Sequence, residues 1–195
     1  MRQFSFSFSS FYIFFFFFII TPQETSSAVK SVFSIDIIKQ TCRTCADKST
    51  IFSHDLCLTS LQSIPVSHAT NIQGLALIAM ELALENATNT ISSIEKLLTS
   101  RTFDPFARAC LEDCFKLYSH GVVTLIDATG AFLTGQYSTA NVWLSAVMEG
   151  ATTCEEGFPE KEGELSPLTK ENYYLFQLCD IALCIIHLLS LPLHS

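Results

Sequence analysis

Eight cysteines in 195 residues are the side chains of this sequence with the most chemistry to offer. Cys42 and Cys45 form a C-x-x-C, and Cys110 and Cys114 stand one helical turn apart, so spacing alone permits a four-sulfur zinc site. The second C-x-x-C that often accompanies the first in such sites does not occur. A thioredoxin-like redox role for Cys42 and Cys45 would need a βαβ setting, which the surrounding residues do not supply. Cys179 and Cys184 lie about 140° apart round a helix axis, where a mutual disulfide has poor geometry, and they read as buried core thiols. The histidines His54, His68, His120, His187 and His194 are scattered, and the sequence contains no H-E-x-x-H, nucleophile elbow or glycine-rich phosphate loop. Glu81 and Glu85, one turn apart, read as the solvated face of a helix rather than as an acid pair. No catalytic residue, no metal and no cofactor is predicted, which leaves binding as the function.

Compartment decides how the cysteines are read. Residues 11–20 are unbroken Phe, Tyr and Ile, too short to span a bilayer as a helix but suited to the h-region of a secretory signal. Arg2 supplies the positive n-region, and Ser26 and Ala28 place small residues for cleavage after Ala28. The reading is a leader over residues 1–28 and one domain over 29–195. Outside the cytosol the default for paired cysteines is the disulfide. Removing the leader takes away Arg2 and Glu24 together, so the formal charge stays at −8. Nucleic acid and polyanionic polysaccharide would be repelled by such a field, whereas a basic protein would be attracted.

The elements that must position any site are helical. Val29, Val32, Phe33 and Ile37 recur at helical spacing before a polar break over 47–53, so residues 29–61 read as a helical hairpin closed by Pro65. Ser67 can cap a long helix carrying Ile72, Leu75, Ile78, Leu82, Ile91, Ile94 and Leu98. Asp104 with Pro105 is a helix start, a capping carboxylate followed by proline at the first position. Gly135 ends that run, and Ser138 can cap the next, with Ala140, Trp143, Leu144, Val147, Ala151 and Cys154 on one stripe. Ser166 and Pro167 read as cap and first position of a last helix that is apolar nearly all round. Asp180 in its middle argues for a bundle core over a membrane tail. Without Asn-Gly or Asp-Gly turns or sustained alternation, the predicted class is all-α: an up-down-up-down four-helix bundle with an N-terminal helical hairpin.

Several motifs carry a resemblance that covers nearly the whole mature chain. Thr41-Cys42 through Cys57-Leu58-Thr59-Ser60-Leu61, then Cys114-Phe115-Lys116-Leu117-Tyr118, Trp143-Leu144-Ser145-Ala146 and Thr153-Cys154-Glu155-Glu156-Gly157-Phe158 resemble, in order and spacing, the plant invertase and pectin methylesterase inhibitors. The resemblance implies a disulfide-stapled four-helix bundle with Cys42 bonded to Cys57 and Cys114 to Cys154, worth about 3 and 4 kcal/mol by loop entropy. Cys45 and Cys110 are extra to that pattern, either bonded to each other or left as two buried thiols. The implied function is that of a secreted, non-enzymatic monomer that blocks the active site of pectin methylesterase one to one in the apoplast or cell wall. The alternative is inhibition of acid invertase, in the cell wall or vacuole. A non-inhibitory ligand-binding or allergen-like bundle is the further alternative.

The target can be argued from one loop. Invertase-type members resemble one another in a Pro-Lys-Phe tripeptide between two of the long helices, at the place where this chain reads Gly135-Gln136-Tyr137-Ser138. Gln136, Tyr137 and Ser138 are therefore the candidate target-binding loop, with the aromatic kept and the Pro-Lys absent. Trp143-Leu144-Ser145-Ala146 resembles the pectin methylesterase inhibitor pattern, whereas Ser166-Pro167-Leu168-Thr169 and the Cys42-x-x-Cys45 block resemble pollen-associated members that carry an invertase-inhibitor label. Asn86-Ala87-Thr88 is the one N-glycosylation sequon of the sequence. A glycan there would keep its helix face out of a tight interface.

Overall fold

The computed structural model describes residues 37–100 and 103–191; the expected leader, residues 1–28, and Val29, Val32 and Phe33 of the expected hairpin lie outside them. Among the described residues the regular structure is helical throughout. Helix α1 covers residues 37–46. It is followed by α2 (His54–Gln62), a 3-10 turn (Pro65–Ala69), α3 (Ile72–Thr99), α4 (Pro105–Leu133), α5 (Tyr137–Gly157) and α6 (Thr169–Ser190). Each of the four long helices packs on two others, α3 on α4 and α6, and α5 on α4 and α6, which makes a ring whose diagonal pairs have no close backbone approach among the described residues. Consecutive helices joined by short turns are antiparallel neighbours, so the ring is an up-down-up-down four-helix bundle, with α1 and α2 as a hairpin at one end. Leu75, Met80 and Ile94 of α3, Leu111 and Leu125 of α4, Leu144 of α5 and Leu175, Ile181 and Ile185 of α6 are fully or almost fully buried at its centre.

Local chemistry fixes where the helices begin. Asp104 caps α4 as expected, its Oδ1 accepting from the backbone N–H of Phe106 at 2.8 Å and of Ala107 at 3.0 Å, with Pro105 at the first position. The other three starts differ from expectation, because tertiary contacts outweigh the local cap. Pro65 opens a 3-10 turn in which the Ser67 hydroxyl donates to the Leu61 and Ile64 carbonyls. Asn71 caps α3 instead, accepting from Gly74 N–H at 3.0 Å. A Cβ on Gly74 would meet Thr70 Oγ1 at 1.8 Å, so that first turn requires glycine. Helix α5 starts at Tyr137, ahead of Ser138, where the Tyr137 ring packs on Phe132 at 5.3 Å between centroids. Helix α6 starts at Thr169: the Ser166 hydroxyl accepts from Leu168 N–H at 3.1 Å and folds the buried Leu168 side chain under the helix.

Three disulfides staple the bundle. Cys42 is bonded to Cys57, closing the α1–α2 hairpin, and Cys114 to Cys154, joining α4 to α5. The third joins Cys45 to Cys184 across 139 residues of sequence, with Cα atoms 5.9 Å apart. This corrects the expectation that Cys45 pairs with Cys110 or stays a thiol, and that Cys184 is a core thiol. Helix α1 lies over α6, so Cys45 meets Cys184, whereas Cys110 faces the end of α5 and its thiol donates to the Gly157 carbonyl at 3.4 Å. Cys110 and Cys179 are free, Cys179 fully buried. With Cys42, Cys45 and Cys114 consumed in disulfides, the four-sulfur zinc site that spacing permits cannot form.

The same face of α6 carries a polar clamp. The Gln177 amide is buried and spans to the hairpin loop, donating to the Ile51 carbonyl and accepting from Ser53 N–H, both at 2.8 Å. By length and composition α6 could cross a membrane; in the fold it packs against α3, α5 and the hairpin. Asp180, one turn on from Gln177, is half-buried with a buried Oδ2 that has no hydrogen-bond partner, and burial raises its carboxyl above the ordinary aspartate range.

A non-reducing peptide map links the Cys45 peptide to the Cys184 peptide and leaves Cys110 and Cys179 to be alkylated on unfolding; a Cys45 to Cys110 link would refute this pairing. Replacing Cys45 and Cys184 together by alanine lowers stability by about 4–5 kcal/mol, as a very long closed loop requires. For Asp180 the folded state favours the protonated acid, so its contribution is present at low pH and is lost as pH rises through the raised folded value. Asp180→Asn therefore raises Tm at pH 7, and the gain shrinks towards pH 3; an equal gain at both pH values would contradict this assignment.

Candidate functional site

The candidate loop residues fall on the α4–α5 turn. Thr134 ends α4, Gly135 sits at φ 75°, where glycine is favoured, and Gln136 N–H returns to the Ala131 carbonyl at 2.8 Å. The Gln136 side chain donates to Thr134 Oγ1 at 3.1 Å, and the half-buried Tyr137 ring is folded back on Phe132. Ser138 is exposed on the first turn of α5. The structure thus brings these three residues together in a tight, self-bonded turn.

Other exposed apolar side chains stand on α4 and α5, turned away from the core. Val123, Ile126 and Leu133 of α4 and Val142 of α5 are 57%, 56%, 66% and 63% exposed, and Asp127, Glu149 and Glu156 stand exposed on the same two helices. Apolar side chains set among acids suit a protein partner with apolar and basic groups. This surface escaped the sequence reading, although Val123, Ile126 and Leu133 recur at helical spacing off the core stripe of α4, which is the signal that marks it. The half-buried Trp143 packs against the core.

A polar chain, buried at Tyr118 and Asn172, helps to hold these two helices in place. The Tyr118 hydroxyl of α4 donates to Asn172 Oδ1 of α6 at 2.7 Å, and Asn172 Nδ2 donates to Glu155 Oε2 of α5 at 2.6 Å. Thr169 Oγ1 donates to the other oxygen of the same carboxylate at 2.6 Å. Leaving one buried member of such a chain unpaired costs about 1–3 kcal/mol. Burial pushes the Tyr118 phenol far above its ordinary range, so it stays a neutral donor. The disulfide of Cys114 and Cys154 lies one turn before Tyr118 and one residue before Glu155.

Groups for catalysis do not converge. His54 lies on α2, His68 on the 3-10 turn, His120 on α4 and His187 on α6, while His194 is outside the described residues; Glu81 and Glu85 are both exposed on α3. Between α4 and α5 a cleft of about 390 Å³ lies over the Cys114 to Cys154 bond, with Phe106, Cys110, Asp113, Glu156 and Glu160 in its walls. Burial first, then Asp113 and Glu160, push the Cys110 thiol up, away from the thiolate that nucleophilic chemistry needs. Among the described residues no cluster of three or more His, Cys, Asp or Glu side chains could hold a metal ion. Asn86 sits on the α3 side of the bundle, half-buried, far from this surface in sequence and facing α6.

Residues 36–185 match the family model described as plant invertase/pectin methylesterase inhibitor. A protein of Platanus acerifolia named "Putative invertase inhibitor" is 37% identical over 162 residues, covering 83% of this chain and 90% of the relative. A pectinesterase inhibitor of Actinidia deliciosa is 30% identical over 188 residues, 95% of this chain and 97% of the relative. Among solved structures, a mutant form of a pectin methylesterase inhibitor from Arabidopsis superposes with a TM-score of 0.62 at 24% identity, covering 71% of this chain and 90% of that one, which shows the shared fold. The helical ring, the stapled hairpin and these matches agree: the chain belongs to the plant invertase/pectin methylesterase inhibitor family, whose members are named as inhibitors and not as enzymes.

Proposed function

We propose that this protein is a secreted inhibitor that binds pectin methylesterase one to one as a monomer and covers its active-site cleft, in the apoplast or cell wall. The observation that carries this reading is the α4–α5 turn. Entry into an invertase site by the family's inserted tripeptide needs a projecting loop, whereas here three residues separate the helices and the Tyr137 ring is spent on Phe132. The outer faces of α4 and α5, with Val123, Ile126 and Val142 among acidic residues, offer a rigid, broad surface of the kind that covers a cleft. A chain of net charge −8 is steered towards a basic esterase. The expected leader over residues 1–28 and three disulfides support delivery outside the cytosol.

Acid invertase is the second reading, favoured by the Platanus relative and its name. The deciding experiment titrates the oxidised protein against one plant pectin methylesterase and one cell-wall invertase at mildly acidic pH. Esterase activity falls to its floor at one equivalent, with invertase unaffected, and the association rate drops as salt rises from low to physiological. Invertase loss with esterase untouched reverses the target, and loss of neither enzyme refutes inhibition of both.

A further inference from the structure

The polar side of α3 carries Asn86 of the sequon Asn86-Ala87-Thr88, and the fold places it in a setting that spacing alone does not reveal. Asn86 lies at the edge of a cavity of about 200 Å³ between α3 and α6, lined by Asn89 and Ser93 from its own helix and by Lys170, Glu171 and Tyr174 from α6. Its Oδ1 is buried without a hydrogen-bond partner, and the nitrogen of the same amide is the atom that N-glycosylation modifies. The lining is amide, hydroxyl, ammonium and carboxylate around one aromatic ring, with the Lys170 ammonium 5.8 Å from the centre of Tyr174. Such a polar groove offers donors and acceptors for sugar hydroxyls, and the apolar face of Tyr174 offers a surface for a sugar ring. Its volume is below the roughly 300–1,000 Å³ of pockets that enclose drug-sized ligands, so it has room for a first sugar and an open rim for the rest.

We infer that Asn86 carries an N-linked glycan whose first N-acetylglucosamine is seated in the α3–α6 groove, its ring lying against Tyr174. The linkage forms a C–N bond from the sugar anomeric carbon to Asn86 Nδ2, with a lipid-linked oligosaccharide diphosphate as donor, the diphosphate leaving and the amide proton lost. The glycan then marks the α3–α6 side as a non-contact side and leaves the outer faces of α4 and α5 for the target. This inference rests on the secretory reading above, since donor and transferase belong to that route.

The test expresses the full chain in plant cells in two forms, one with its own N-terminus and one preceded by an independent secretory leader. The leader-driven form decides the glycan. Its intact mass exceeds that of the polypeptide, the excess is removed by peptide N-glycosidase, and it is absent in both Asn86→Gln and Thr88→Ala; an unmodified Asn86 in this delivered form overturns the site. The form with its own N-terminus decides secretion separately, by its recovery or absence outside the cell. Seating is read from Lys170: its acylation by an amine reagent is several-fold slower in the glycosylated protein than after enzymatic removal of the sugar. Equal rates overturn the groove assignment.

Discussion

One hydrogen-bonded chain, from Tyr118 through Asn172 to Glu155, sets the register of three of the four long helices. A core of Leu, Ile, Ala and Cys can be packed with neighbouring helices shifted by a turn at modest cost, because hydrophobic burial has no direction. The buried phenol and amide and the half-buried carboxylate close their bonds in this register, and a shifted one strands the phenol or the amide in a low-dielectric interior. The disulfide of Cys114 and Cys154 lies at the same level of the bundle and ties α4 to α5 covalently. Together they hold the outer faces of α4 and α5 rigid, so the order of Val123, Ile126 and Val142 is set before a partner arrives. A preorganised surface of this kind loses less side-chain and backbone freedom on binding.

The second constraint is the attachment of the hairpin. Helices α1 and α2 are too short to be stable alone, and bury Cys42, Leu56, Cys57 and Leu61 only by lying across the end of the bundle. The Cys45 to Cys184 bond and the Gln177 amide, seven residues apart on one face of α6, fasten them there. This explains why an apolar helix carries Gln177, Asp180 and Cys184 as a stripe: that stripe faces the hairpin, while Leu178, Ala182 and Ile185 face the core.

Features that depend on neighbours in sequence were legible in the sequence, and features that depend on distant contacts were not. The apolar period and the Asp104-Pro105 start are local, so the helices and the all-α class could be read directly. Ser67, Ser138 and Ser166 have the chemistry of caps, yet a proline-opened turn, the Tyr137 to Phe132 packing and the buried Leu168 move each helix start by one to several residues. The pairing of Cys45 with Cys184 spans the whole domain, and its one trace in the sequence is the polar stripe on α6. The proposed binding surface is the least legible of all, since the spacing of Val123, Ile126 and Leu133 off the core stripe of α4 gains a meaning only when the bundle shows that they are exposed.

The central claim is that the outer faces of α4 and α5 cover the target while the α3–α6 side stays free. Hydroxyl-radical footprinting of the protein, alone and saturated with pectin methylesterase, tests it by comparing side-chain oxidation across the surface. The account predicts protection of Val123, Ile126 and Val142 with Tyr174 oxidised at its free rate. Protection of Tyr174 with Val123, Ile126 and Val142 unchanged would contradict it.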